Sequence, residues 1–207
     1  MAYNLDPTSD SCYEGTTCLK NKLNIHNEEK LAIVEAQITF AKSVMLDEEP
    51  IKGVFGFEHL KQIHRFLFED IYEWAGTTRS VNISKKRTNF LDAKLIEEVA
   101  TKCFSKIENG WLDDLSFDEF SRRIAEFYND VNHIHPFREG NGRTQRIYFS
   151  SLIRHYGYDI NFSKIDTDEL MIATIQASSG VLDYLVEFFK EAITTQQNQV
   201  QLGENSN

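Results

Sequence analysis

The sequence predicts an all-α fold, a helical bundle with one short β-hairpin. Three observations carry this. Only three prolines, Pro7, Pro50 and Pro136, interrupt 207 residues. Apolar residues recur three and four apart through most of the chain, the spacing of one helix face. Alternation of period two is confined to a stretch near 80–90, where Val81 and Ile83 are followed by a return through Asn89 and Phe90.

The elements follow in order. From Asn27 to Leu46 the stripe is Leu31, Val34, Ile38, Ala41 and Met45, with Glu28 and Glu29 suited to the positive end of a helix dipole. From Phe57 to Trp74 it is Leu60, Ile63, His64, Leu67, Ile71 and Trp74, with Gly76 as a stop. His64 on that stripe reads as a satisfied core histidine. Leu95, Ile96, Val99, Cys103 and Ile107 mark a helix over 92–108. Ser116 and Glu119 form a capping box that opens a helix burying Phe120, Ile124, Phe127, Tyr128 and Val131. That helix runs into His135, Pro136 and two glycines, and the next extends from Gly142 to Tyr156. Asp166 and Glu169 open another, and the last spans Val181 to Ala192. Residues 1–194 read as one domain, and the polar stretch 195–207 as a disordered tail.

Charge and cysteine content narrow the function. Lys and Arg number 22 against 32 Asp and Glu, a formal net charge of −10. That balance disfavours general binding to nucleic acid or anionic membranes. Basic residues still cluster, at Lys85, Lys86 and Arg87 and at Arg138, Arg143 and Arg146. No apolar run is long enough to span a bilayer, and the first residues are not a signal peptide. Cys12, Cys18 and Cys103 are odd in number and lack zinc spacing, which suits a reducing cytoplasm; secretion without an N-terminal signal stays compatible.

The run His135-Pro-Phe-Arg-Glu-Gly-Asn-Gly-Arg-Thr-Gln-Arg146 concentrates the chemistry. Gly140 and Gly142 permit positive φ and close approach of a ligand to backbone. Successive N–H groups around Gly140, Asn141 and Gly142, at a helix start, make an anion nest. Arg143 and Arg146 share a helix face and present forked donors to phosphate oxygens. Glu139 is a hard oxygen ligand, and one carboxylate together with substrate phosphates is the usual way of holding Mg²⁺. His135 titrates near neutrality and suits a general base for a hydroxyl nucleophile. Taken singly, each part has a plainer reading as a turn, a solvated helix face or a structural histidine. Together they read as machinery for a nucleoside triphosphate such as ATP. Gly-x-x-x-x-Gly-Lys-Ser/Thr, Gly-x-Gly-x-x-Gly and the protein-kinase motifs are absent.

The same run resembles the Fic family signature, His-Pro-Phe-x-Asp/Glu-Gly-Asn-Gly-Arg-x-x-Arg, at every defined position. Trp74-Ala75-Gly76, Arg79 and Val81-Asn82-Ile83-Ser84 resemble that family's hairpin flap, and Asn24-Ile25-His26 its N-terminal part. The resemblance implies a Fic-type bundle and transfer of AMP from ATP to a Ser, Thr or Tyr hydroxyl of a target protein. It implies that the flap, here Ile83, Ser84, Lys85 and Lys86, docks an extended target segment by strand addition. It places Gln176 near the adenosine. In the Doc-like kinases the glycine before the first arginine is a lysine; here it is Gly142. Other nucleotide-like donors, and a non-catalytic nucleotide-dependent binding module, stay open. Many members carry an inhibitory Ser/Thr-x-x-x-Glu-Gly/Asn helix that pairs with the last arginine. Glu14, Glu108 and Glu204 precede Gly or Asn, but Asp10, Phe104 and Val200 stand four residues earlier. The resemblance then implies a separate small helical antitoxin. The targets of relatives, topoisomerases or GTPases, are not distinguished by these residues.

Overall fold

The computed structural model describes residues 11–85 and 88–195. Helix α1 (Glu28–Glu48) opens on Asn27, whose side chain accepts from Lys30 N at 2.8 Å. Its inner face departs from the expected stripe. Leu31, Glu35, Thr39 and Leu46 are buried, whereas Ala41 and Met45 face solvent. The inward positions include a carboxylate and a hydroxyl because they have a polar partner, described below.

Helix α2 (Phe57–Phe68) stops six residues short of Trp74. Lys42 of α1 explains the stop: its Nζ takes the Phe66 carbonyl at 2.7 Å and pairs with Glu69 and Asp70 at 3.2 and 2.6 Å. The chain then folds back in turns that stack Trp74 on Tyr72 at 4.3 Å. Gly76, at φ 79°, is bonded through its N–H to Nδ1 of His64 at 2.8 Å.

The hairpin is short: β1 (Ser84–Lys85) pairs antiparallel with β2 (Thr88–Asn89). Lys86 and Arg87 lie outside the described residues. A 3-10 turn over Ala93–Leu95, rather than an α-helical start at 92, leads into α3 (Ile96–Glu108). Helix α4 (Phe117–Ile134) carries the expected capping box on Ser116 and Glu119, worth about 1 kcal/mol. Its predicted face is buried at all five positions, Phe120, Ile124, Phe127, Tyr128 and Val131. Helix α5 (Asn141–His155) crosses the centre, with Tyr148, Phe149, Leu152 and Ile153 fully buried.

A second small sheet lies beyond what periodicity shows. Strand β3 (Tyr158–Ile160) pairs antiparallel with β4 (Ile193–Thr195), at the exit of α7 (Asp183–Ala192). Three residues are too few to display alternation. Thr195 therefore pairs with Tyr158 instead of opening a tail, and 196–207 lie outside the described residues. Helix α6 (Thr167–Ser178) starts on Asp166, and α7 begins two residues after Val181. The buried apolar side chains of all seven helices join in one cluster. No described helix is long and apolar enough to cross a membrane.

Candidate active site

The loop between α4 and α5 is closed by its own residues. Helix α4 ends on His135, which takes a left-handed conformation at φ 45°. Asn141 clips the far end: its Oδ1 accepts from Phe137 N at 2.8 Å and its Nδ2 donates to Phe137 O at 2.7 Å. The side-chain amide thus braces the loop. Phe137 is buried and stacks on His64 at 3.8 Å. His64 is the core histidine expected, with a defined tautomer. Nδ1 accepts from Gly76 N, so Nε2 carries the proton and donates to Glu139 O at 3.1 Å. Gly140 sits at φ 80°, and a Cβ there would drive into the Phe68 ring.

His135 is held as a neutral imidazole. Nδ1 lies 3.0 Å from the Asn132 carbonyl, which can only accept, so Nδ1 carries the hydrogen and Nε2 the lone pair. The ring stacks on Phe90, which follows β2, at 3.7 Å and is 7% exposed. Burial pushes its pKa down to about 3, helped by Lys85 and Arg79 and opposed by the Asn132 bond.

On the other side of the loop, α5 opens with the N–H groups of Asn141, Gly142 and Arg143, ahead of the first intrahelical bond from Thr144 N to Gly140 O. Gly142 does not use positive φ, contrary to expectation; it is the second residue of the helix. A Cβ there would touch only Arg146 Nη1, at 3.4 Å. Neither backbone nor packing demands glycine at this position, which leaves open backbone beside two arginines.

Arg143 is already engaged. Its Nη2 pairs with Glu35 Oε1 at 2.5 Å and lies 3.5 Å from Glu139 Oε1, and its Nη1 donates to Thr39 Oγ1 at 3.1 Å. The guanidinium sits over the Phe68 ring at 4.9 Å. Arg146 makes no ion pair among the described residues. Glu139 accepts from Gly140 N at 2.8 Å, and burial raises its pKa. Among the described residues no group of three or more acidic, Cys or His side chains gathers as a metal cage. A lone carboxylate fits Mg²⁺ that arrives with phosphate oxygens, and fits no all-protein metal site. Arg138, counted with the basic cluster in sequence, is buried and bonded through Nε to Ser11 Oγ at 3.1 Å, so it braces the N-terminal segment.

The flap is tied to the loop through Arg79. Its guanidinium donates to the carbonyls of His135, Ile134, Val81 and Leu91 at 2.9, 3.3, 2.8 and 2.5 Å. Backbone bonds from Arg79 N to Pro136 O and from Leu91 N to His133 O complete the join. Ile83 is buried, Ser84 and Lys85 are half-buried, and Lys85 is near enough to lower the pKa of both His135 and Glu139. Gln176 stands in the last turn of α6 with a buried Oε1 that has no protein partner, and no hydrogen bond joins it to the loop. His133 is exposed. Glu35, Thr39, Tyr72 and Phe90 were not singled out from sequence. Glu35 left a faint signal, a carboxylate four residues after Leu31 and four before Thr39 on one helix face.

A family profile described as Fic/DOC family matches residues 54–153. The chain is 33% identical over 183 residues to "Probable protein adenylyltransferase Fic" of Salmonella typhimurium, covering 88% of this chain and 90% of that protein. It is 34% identical over 190 residues to protein adenylyltransferase VbhT of Bartonella schoenbuchensis, covering 91% of this chain but only 39% of VbhT. The N-terminal Fic domain of a VirB-translocated Bep effector protein from Bartonella quintana, solved with bound ADP, superposes with a TM-score of 0.83 at 29% identity, covering 92% and 97% of the two chains. Identity of 33% over nearly the whole of the Salmonella protein, together with the family match over 54–153, establishes that the chain belongs to the Fic/DOC family.

Proposed function

We propose that the chain is a protein adenylyltransferase that moves AMP from ATP to a hydroxyl side chain of a target protein and releases pyrophosphate. The observation that carries this reading is His135. It is a buried neutral imidazole, its tautomer fixed by Asn132, on the loop that leads into the open N-terminus of α5, the helix that carries Arg146. Relatives named as protein adenylyltransferases and one solved with ADP support it.

ATP lies with its α-phosphate at the N–H groups of Asn141 and Gly142, the Gly140 N–H being held by Glu139, and its outer phosphates at Arg143 and Arg146. Glu139 would hold Mg²⁺, which supplies charge compensation on the phosphate oxygens. Gln176, with its unpartnered Oε1, is the candidate for the adenosine. An extended target segment adds to the flap at Ile83, Ser84 and Lys85. Nε2 of His135 accepts the hydroxyl proton as the oxygen attacks the α-phosphorus in line. The absence of an ion pair on Arg146 among the described residues fits a chain restrained by a separate small helical protein. The exposed stripe Ile33, Phe40 and Val44 on α1 offers that protein an apolar face. We read the chain through Thr195 as one domain working in the cytoplasm.

The test is transfer of label to protein in a cell lysate. Label from [α-³²P]ATP, lost in His135→Ala, is expected. Label from [γ-³²P]ATP alone would establish phosphate transfer instead, and nucleotide binding without any transfer would establish a binding module.

A further inference from the structure

Arg143 stands between two carboxylates. Its Nη2 is 2.5 Å from Glu35 Oε1 and 3.5 Å from Glu139 Oε1. Glu35 comes from α1, more than a hundred residues away in sequence, and is 7% exposed. A buried carboxylate on a bundle helix is costly unless every oxygen is satisfied. Here both are. Oε1 takes the guanidinium, and Oε2 accepts the Tyr72 hydroxyl, whose pKa burial raises so that it stays a donor. Thr39, one turn on, accepts from Arg143 Nη1 and donates to the Glu35 carbonyl at 2.8 Å. The set forms a seat for one guanidinium on the inner face of α1, roofed by the Phe68 ring.

We propose that Glu35 is a positioning residue for the nucleotide site, because by seating Arg143 it holds that arginine to a long, 3.5 Å pairing with Glu139 and leaves the Glu139 carboxylate for Mg²⁺. This rests on the reading of Glu139 and Arg143 given above. The reasoning is a competition. Arg143 and Glu139 are four residues apart across the helix start and already form a long pair at 3.5 Å, which tightens if Arg143 loses its other partner. Tightened, that pair would neutralise the one carboxylate available to the cation. Glu35 offers the better partner, by one ångström and with Thr39 in support. With Glu35 neutral, Nη2 turns to Glu139.

The experiment is calorimetric binding of α,β-methylene-ATP, whose α–β bridge cannot be cleaved, with Mg²⁺ and with EDTA. In the unaltered chain Mg²⁺ tightens binding. In Glu35→Gln that metal-linked gain falls about tenfold, while metal-free affinity changes by no more than about twofold. Thr39→Val, which removes only the second anchor and preserves shape, gives a smaller loss in the same direction and serves if Glu35→Gln folds poorly. In an Arg143→Ala background the competitor is gone, so Glu35→Gln no longer alters the gain. Residual structural damage would persist there and would overturn the proposal. So would an undiminished gain in Glu35→Gln, or no Mg²⁺-linked gain in the unaltered chain that still binds nucleotide. An unaltered chain that binds no nucleotide refutes the reading of the site itself.

Discussion

The catalytic loop and the flap meet at His135 but are built differently. The loop is over-determined. Asn141 clips both polar groups of Phe137, His64 holds the Glu139 carbonyl, and Arg79 gathers the carbonyls that end α4. The flap has strands of two residues and two cross-strand pairs. On the proposed function, the contrast teaches that the reacting groups are fixed in advance, whereas the flap edge is left short for an incoming strand to complete. Preorganised groups lower the barrier, and a spare edge supplies main-chain donors and acceptors.

The contrast can be broken at the loop and sharpened at the flap. The largest effect expected is on rate: His135→Ala lowers transfer of α-label by about 10²–10⁴-fold or more, read against unchanged nucleotide affinity. Next comes acid stability. The unfolded chain holds its histidines near pKa 6.5, whereas burial pushes both His64 and His135 down to about 3. Between those limits the unfolded state binds more protons, so stability is complete above about pH 6.5 and is lost as pH falls. Each histidine contributes a slope of up to ~1.4 kcal/mol per pH unit. Denaturant melts across pH check this, and His135→Ala should remove the share of the slope that His135 contributes, up to ~1.4 kcal/mol per pH unit.

Gly140→Ala adds a Cβ at φ 80° against Phe68 and should cost about 2–4 kcal/mol, read as a lower melting temperature. Arg79→Lys replaces a fork serving four carbonyls with a point donor and should cost about 2 kcal/mol. Hydrogen exchange should rise at both feet of the flap. The smallest effect belongs to Lys85→Ala. It should lower target labelling only a few-fold, about 0.5–1 kcal/mol, and leave nucleotide affinity nearly unchanged. Equal losses in both would remove the distinction between loop and flap.

How far the sequence foretold this molecule depends on where each signal resides. The loop was legible because its parts are consecutive and chemically distinct. The α4 face was legible because its partners are apolar, so burial follows hydrophobic spacing. Helix α1 misled for the opposite reason: it buries Glu35 and Thr39 to serve Arg143, and an apolar stripe through Ala41 and Met45 was read in their place. The stop of α2 at Phe68 depends on Lys42 of another helix, and β3–β4 joins segments more than thirty residues apart. Such contacts leave no local period. Gly142 does not take the positive φ expected of it: its helical backbone means that space, not turn geometry, is what a side chain would remove.

The left-handed backbone of His135 has a practical corollary for anyone seeking a dead enzyme as bait. Asparagine tolerates φ near +45° far better than alanine or a branched residue does. His135→Asn therefore silences the imidazole while sparing the hinge between α4 and the loop, and offers visiting polypeptides an undistorted berth.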